Sequence, residues 1–127
     1  MSATLPVPKG RLVMVQSNTP EGVPLGFADL VEGLIVKYSA GIEIPVVQDE
    51  KFPSWVLEPV PEGEVTIEYR LRLDHDEYRW PVGMNEAAYT TDEMLFFTGQ
   101  ATFVHAPNMG EIEIEFEIPE GWTLSTP

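Results

Sequence analysis

The densest group of chemically capable side chains in the sequence is the run LDHDEY, residues 73 to 78. Asp74, His75, Asp76 and Glu77 place three carboxylates and one imidazole side by side at the end of a predicted strand. Calcium prefers carboxylate oxygens as ligands, so Asp74, Asp76 and Glu77 are candidate calcium ligands. The run lacks the alternating acids and central glycine of an EF-hand loop, and a solvated turn has the same composition. The sequence therefore favours a plain turn over a metal site.

The two histidines, His75 and His105, do not form a recognisable catalytic or zinc-binding pair. They are well separated in the sequence, and no H-E-x-x-H motif presents two imidazoles on one helix face. The sequence also contains no G-x-S-x-G nucleophile elbow, no G-x-G-x-x-G loop and no Walker loop. His105, at the end of a predicted strand, is interpreted as a hydrogen-bonded surface residue. The chain by itself is predicted to carry no catalytic residue, no metal site and no cofactor.

The three tryptophans, Trp55, Trp80 and Trp122, suggest two alternative roles. Exposed together they would form a stacking platform for sugar rings, as in carbohydrate-binding modules. Each one, however, lies beside a proline or a glycine at the margin of a predicted strand. That position favours core residues that close the ends of a sandwich, because indole rings bury a large apolar area.

These side chains are predicted to be positioned by β-strands. Twelve prolines and ten glycines punctuate the chain and leave little room for helices. From Glu64 to Leu73 apolar and polar residues alternate, and Glu111 to Ile118 repeats the pattern with Ile112, Ile114, Phe116 and Ile118 facing inward. Such alternation indicates strands with one buried face. The predicted fold class is all-β, an antiparallel β-sandwich with at most one short helical turn.

Weaker patterns predict the remaining elements. A helical spacing of Phe27, Leu30, Val31 and Leu34 predicts the one helical turn, and Pro45 is expected on an edge strand or at a bulge. Hairpin turns are predicted at residues 39–41 and at Thr98-Gly99. The further predicted strands are Arg11 to Gln16, Leu34 to Tyr38, Ile42 to Val47, Trp55 to Leu57, Met94 to Phe97 and Gln100 to His105.

Length and charge limit the classes of function. The 127 residues fit a single domain, 1–127, and the net charge of −14 argues against binding to nucleic acid or to an anionic membrane surface. No membrane-spanning segment and no targeting signal are evident, so we expect a soluble protein, of the cytoplasm or the periplasm. The stripe of Glu111, Glu113, Glu115 and Glu117 is interpreted as a solvated strand face in preference to a docking surface for a basic partner. If this strand pairs with Glu64 to Leu73, Arg70 and Arg72 would lie across from two of the glutamates.

The stretch from Asn85 to Trp122 resembles the N-terminal domain of the glycyl aminopeptidase family of zinc metallopeptidases. The resemblance covers roughly residues 40–127, and the H-E-x-x-H catalytic domain of that family has no counterpart in this sequence. The positions that carry the resemblance are Trp55, Tyr69, Tyr89, Asp92, Phe96, Phe97, Gly99, Pro119, Gly121 and Trp122.

The resemblance implies a non-catalytic accessory domain that packs on the catalytic domain of a parent peptidase and helps to shape its substrate cleft. Zinc is then expected only in that catalytic domain. None of the matched positions is a catalytic residue of the family. The alternative is a stand-alone binding module for carbohydrate or calcium. The sequence leaves the oligomeric state open.

Overall fold

A computed structural model describes residues 1–16, 19–80, 88–111 and 113–126 of the chain. Within these residues the regular structure is antiparallel β-sheet with short helical segments, so the predicted all-β class is confirmed. The helical segments are two 3-10 turns and one short α-helix, more than the single turn predicted. The strands are β1 (Ser2–Pro6), β2 (Arg11–Val13), β3 (Val31–Tyr38), β4 (Glu43–Ile44), β5 (Val46–Gln48), β6 (Ser54–Leu57), β7 (Glu64–Leu71), β8 (Tyr89–Thr90) and β9 (Leu95–Phe96). The helical segments are Gly26–Leu30, His75–Glu77 and α1 (Gly99–Thr102).

The largest sheet has four strands in the order β1-β7-β3-β4, with β7 between two neighbours. As predicted, β7 alternates, because Val65, Ile67 and Tyr69 are buried while Glu68 and Arg70 are exposed. The strand ends at Leu71, two residues before the predicted end. Period-2 alternation therefore identified the central strand correctly, since one of its faces packs on the core.

A second sheet has three strands in the order β2-β6-β5, and Pro45 lies between the two sheets. The prediction of one continuous strand from Ile42 to Val47 is wrong, because the chain leaves β4 at Pro45 and enters β5 in the other sheet. Both β4 and β5 are edge strands, so the missing N–H of Pro45 costs no ladder hydrogen bond.

Both large sheets contribute to one hydrophobic core. Leu12, Trp55 and Leu57 come from the three-stranded sheet, and Val36 and Ile67 come from the four-stranded sheet. After Trp80, the buried apolar residues in the described part of the chain are small, namely Ala88, Ala101, Val104 and Ala106. Residues 1–80 thus supply the bulk of the core. The sandwich arrangement itself stays a prediction.

The turn between β3 and β4 and the first helical turn follow the sequence pattern. Gly41 has φ +83° and donates its N–H to the carbonyl of Tyr38 at 2.8 Å, which confirms the predicted hairpin turn. The first 3-10 turn is the predicted helical turn, but it ends at Leu30, and Val31 begins β3. The strand β1 was not predicted.

The prediction of a strand from Glu111 to Ile118 is wrong for its described residues, which lie in no strand. Ile114 and Ile118 were expected to face inward, yet they are 42% and 43% exposed. The proposed partner β7 already has β1 and β3 on its two edges, and Arg70 lies opposite Glu32 of β3 instead of a C-terminal glutamate. The prediction for Ile112 lies outside the described residues.

The prediction of a strand from Gln100 to His105 is also wrong, and so is the predicted hairpin turn at Thr98-Gly99. The segment instead begins with α1, in which Phe103 donates its N–H to Gly99 at 2.9 Å. The hydroxyl of Thr102 donates to the carbonyl of Thr98 at 2.9 Å and closes the same turn. The predicted strand from Met94 to Phe97 is shorter, and it pairs as β9 with the unpredicted β8.

Candidate functional site

A groove of about 790 Å³ lies over the outer surface of the four-stranded sheet. The sheet supplies Glu68 and Arg70 of β7 together with Gly33 and Ile35 of β3. Glu68 and Arg70 alternate with the buried residues of β7, so they necessarily project to the outer side of the sheet. The floor of the groove is therefore formed by the face of the sheet that is turned away from the core.

The groove exists at this point partly because β3 is irregular. The register of β3 against β7 shifts between Glu32 and Ile35. Gly33 has φ +61°, and a Cβ built on it would lie 3.6 Å from a guanidinium nitrogen of Arg70. The bulge changes which residues of β3 face outward, and Ile35 is left 36% exposed.

The opposite wall of the groove comes from the C-terminal segment, residues 114–117. Glu115 and Glu117 thus join Glu68 in the lining of the groove. Among the described lining residues, Arg70 carries the cationic side chain. The segment touches the preceding hairpin, because the rings of Phe97 and Phe116 are 5.7 Å apart between centroids. The lining combines carboxylates with apolar surface, a combination that suits the binding of a partner or ligand.

The acidic run at residues 73–78 forms a 3-10 turn, His75–Glu77, at the end of the β7 segment. Arg72 forms an ion pair with Asp74, and its guanidinium also donates to the hydroxyl of Tyr78 at 2.9 Å. Asp76 and Glu77 are exposed. Among residues 1–16, 19–80, 88–111 and 113–126, no group of three or more His, Cys, Asp or Glu is arranged to hold a metal ion. Calcium binding by Asp74, Asp76 and Glu77 stays an untested alternative to the plain turn that the sequence favours.

His75 is fully buried, which the sequence interpretation of this turn as solvated did not foresee. Its ring packs against both Phe27 and Trp80, at centroid distances of 5.8 and 5.7 Å, and these two rings also contact each other at 4.8 Å. Neither ring nitrogen makes a hydrogen bond of normal geometry within the described part of the chain, although the backbone of Ala88 lies close enough to favour the protonated ring. Burial lowers the pKa of His75 to about 4, while the nearby carboxylates of Asp74 and Asp76 oppose the shift. The imidazole is therefore neutral at pH 7.

A simple signal in the sequence would have located His75. The inward positions of β7 are the odd-numbered residues, and Leu71 and Leu73 continue this alternation as partly buried residues packed on the core. Extending it by one step places His75 on the inner side. The indole N–H of Trp80 then donates to the backbone carbonyl of His75 at 2.6 Å and covers the ring.

The predicted roles of the three tryptophans and of His105 can be compared with their burial and contacts. Trp55 and Trp80 are buried, as expected of core residues, whereas Trp122 is 44% exposed and the core role predicted for it is wrong. A platform made of all three indoles is therefore not present. His105 is half-buried, its backbone pairs with Val13, and its Nδ1 lies 2.9 Å from the carbonyl of Ala106, in line with a hydrogen-bonded residue.

The positions that carry the family resemblance range from buried to exposed. Tyr69 is buried, and its hydroxyl bonds to the backbone of Thr102 and Val104. Tyr89 packs on Phe96 with ring centroids 5.4 Å apart. Gly99 begins α1, where a Cβ would lie 3.2 Å from the ring of Phe103. The exposed group consists of Asp92, Phe96, Gly99, Pro119, Gly121 and Trp122.

The exposed Pro119, Gly121 and Trp122 form a turn, in which Trp122 donates its N–H to the carbonyl of Pro119 at 3.1 Å. Gly121 has φ +85°, a left-handed conformation that favours glycine. This turn follows directly on the segment that walls the groove. The described residues contain no helix long and apolar enough to cross a membrane.

Comparison with known proteins gives one informative match. Residues 23–127 match the family model described as the Peptidase M61 N-terminal domain. A search of curated proteins finds no match. The matched region includes residues 23–39, which the sequence resemblance did not cover, and it contains the lining residues of the groove other than Met1 and Ser2. The chain therefore belongs to the family of N-terminal domains of the M61 peptidases, the glycyl aminopeptidase family.

Proposed function

We propose that the chain is a non-catalytic accessory domain of an M61 metallopeptidase. In this role it packs on the zinc-carrying catalytic domain and forms part of the wall of the substrate cleft. The observation that carries the proposal is the match to the N-terminal domain of this peptidase family over residues 23–127. Hydrolysis is assigned to the catalytic domain, and the β-domain contributes surface.

The chemistry of the described surface supports a binding role. The groove presents carboxylates, one guanidinium and apolar side chains, and these groups position a partner or a substrate without breaking a bond. The net charge of −14 also favours the approach of peptides with a free ammonium group, which is the feature that an aminopeptidase recognises. The domain would thus help to concentrate substrate near the cleft.

A domain exchange tests the proposal. The catalytic domain of an M61 peptidase is produced in three forms: with its own N-terminal domain, without any N-terminal domain, and with this chain fused in its place. Hydrolysis of a chromogenic glycyl amide is then measured for each form. We expect the fusion to restore kcat/KM at least severalfold over the truncated form, and the isolated chain to have no activity.

Zinc content and far-ultraviolet circular dichroism of the three forms separate loss of folding from loss of function. A fusion that is folded and zinc-loaded but no more active than the truncated form would contradict the proposal. Hydrolysis by the isolated chain would contradict it as well.

A further inference from the structure

The large apolar residues of the chain are unevenly distributed between core and surface. The core is built mainly by residues up to Trp80, and the described residues that follow contribute three alanines and Val104. The exposed large apolar residues of that same C-terminal third define what we call the C-terminal face. Its members are Met94, Leu95, Phe96, Ile114, Ile118, Trp122 and Leu124.

The two parts of the C-terminal face adjoin each other. Leu95 and Phe96 belong to β9, and the next residue, Phe97, packs on Phe116 of the C-terminal segment. The face therefore extends from the β8-β9 hairpin onto the segment that carries Ile114 and Ile118. Exposed apolar residues grouped in adjoining segments are typical of an interaction site.

The segment from Glu113 to Ile118 keeps the alternation of an amphipathic strand although it belongs to no sheet. Ile114 and Ile118 are each exposed by more than 40%, and Glu113, Glu115 and Glu117 are exposed as well. An apolar row bordered by carboxylates is complementary to an apolar surface rimmed by lysine or arginine. After Arg79 the sequence has no lysine or arginine with which to supply that rim itself.

A second copy of this chain is a poor occupant of the face. Two copies with a net charge of −14 each would bring like charges together, and opposed like charges suppress association. The family match instead indicates a partner, because the N-terminal domain of a peptidase accompanies a catalytic domain.

We propose that the C-terminal face is the surface on which the catalytic domain of the M61 peptidase docks. This inference rests on the proposed function and adds to it the location of the interface and the chemistry of the partner surface. The aliphatic and indole side chains fill apolar pockets of the catalytic domain, and the glutamates meet a basic rim. The acidic stripe thereby becomes a docking surface for a basic partner.

Binding of the chain to an M61 catalytic domain that lacks its own N-terminal domain tests the inference by isothermal titration calorimetry. The test variant is the double substitution Ile114→Glu and Ile118→Glu. The matched control is Ile42→Glu with Val47→Glu, which adds the same charge at exposed apolar residues outside the C-terminal face, 66% and 65% exposed. Circular dichroism and the Tm verify that both variants are folded.

We expect the test variant to weaken binding by about tenfold or more, because a buried apolar contact is replaced by charge, and the control to bind like the wild type. Equal affinity of test and control variants would overturn the location of the interface and leave the proposed function intact. Absence of binding by the wild type to a folded, zinc-loaded catalytic domain would overturn both. Concentration-dependent dimerisation of the wild type that the test variant abolishes would assign the face to a second copy and overturn the inference.

Discussion

The phenol hydroxyl of Tyr69 donates a hydrogen bond to the carbonyl oxygen of Thr102 at 2.7 Å. The hydroxyl oxygen of Tyr69 in turn accepts the N–H of Val104 at 3.1 Å. The central strand β7 is thereby joined to the chain around the end of α1, at a buried position. Burial raises the pKa of Tyr69, and the N–H of Val104 partly offsets the shift, so the hydroxyl is protonated and able to donate at neutral pH.

Replacement of Tyr69 by Phe is expected to destabilise the domain by about 1 to 3 kcal/mol, because two buried backbone groups lose their partner. Urea unfolding followed by circular dichroism measures the change. The control is Tyr38→Phe, since Tyr38 is half-buried and its hydroxyl has no hydrogen bond within the described part of the chain; its effect should stay within about 0.5 kcal/mol. Equal destabilisation by the two variants would show that the Tyr69 hydroxyl has no bridging role.

Gly10, in the turn between β1 and β2, is expected to be a second position at which substitution destabilises the domain. Its φ is +60°, and an added Cβ would lie 2.9 Å from Cγ2 of Val60 and 3.1 Å from the carbonyl oxygen of Leu57. Gly10→Ala should therefore cost about 1 to 3 kcal/mol. Gly41→Ala is the control that introduces backbone strain without a steric contact. Gly41 has φ +83°, and no atom lies within 4 Å of an added Cβ. Thermal unfolding should show the larger loss for Gly10→Ala, and the reverse order would contradict the role of the contact.

Sequence periodicity predicted the parts of the fold in which one strand face is buried by many neighbours. Strand β7 was predicted from its alternation, and its inner residues Val65 and Ile67 are almost inaccessible. Proline and glycine chemistry likewise placed Pro45 at sheet edges and Gly41 in a turn. In each case the local pattern and the tertiary environment favour the same structure.

The same periodicity failed for Glu111 to Ile118, because alternation specifies an amphipathic extended chain but does not supply a neighbouring strand. The edges of β7 are occupied by β1 and β3, a fact of strand order that local sequence does not contain. The groove could not be predicted for the same reason, since it joins Ile35 and Arg70 to residues 114–117. His75, by contrast, was predictable from the continued alternation of β7.

Calcium is not expected to stabilise the chain. Asp74 is already paired with Arg72, and Asp76 and Glu77 are exposed on one short turn. A site with Kd of about 10⁻⁴ to 10⁻³ M would add about 1.4 to 2.7 kcal/mol at about 10 mM calcium, a readily measured rise in Tm. The Tm should instead be the same in calcium and in an equal concentration of magnesium. A rise specific to calcium that Asp76→Asn with Glu77→Gln abolishes would establish the site.

The stability of the domain is expected to fall as the pH decreases from about 6.5 to about 4. Burial lowers the pKa of His75 from 6.5 to about 4 in the folded chain. Between these values the unfolded chain binds a proton that the folded chain does not, so acid favours unfolding. The stability that depends on a neutral His75 is fully present above about pH 6.5. It is lost as the pH falls to about 4, and the loss amounts to as much as about 3 kcal/mol.

A comparison with His75→Phe isolates this contribution, because carboxylates titrate in the same range. Phenylalanine keeps a ring packed against Phe27 and Trp80, and the hydrogen bond from Trp80 goes to the backbone carbonyl of residue 75, which the substitution retains. The Tm of the wild type should fall more steeply than that of the variant between pH 6.5 and 4, with the two curves parallel above pH 7. Parallel curves over the whole range would mean that the imidazole acquires its proton as readily in the folded chain as in the unfolded chain.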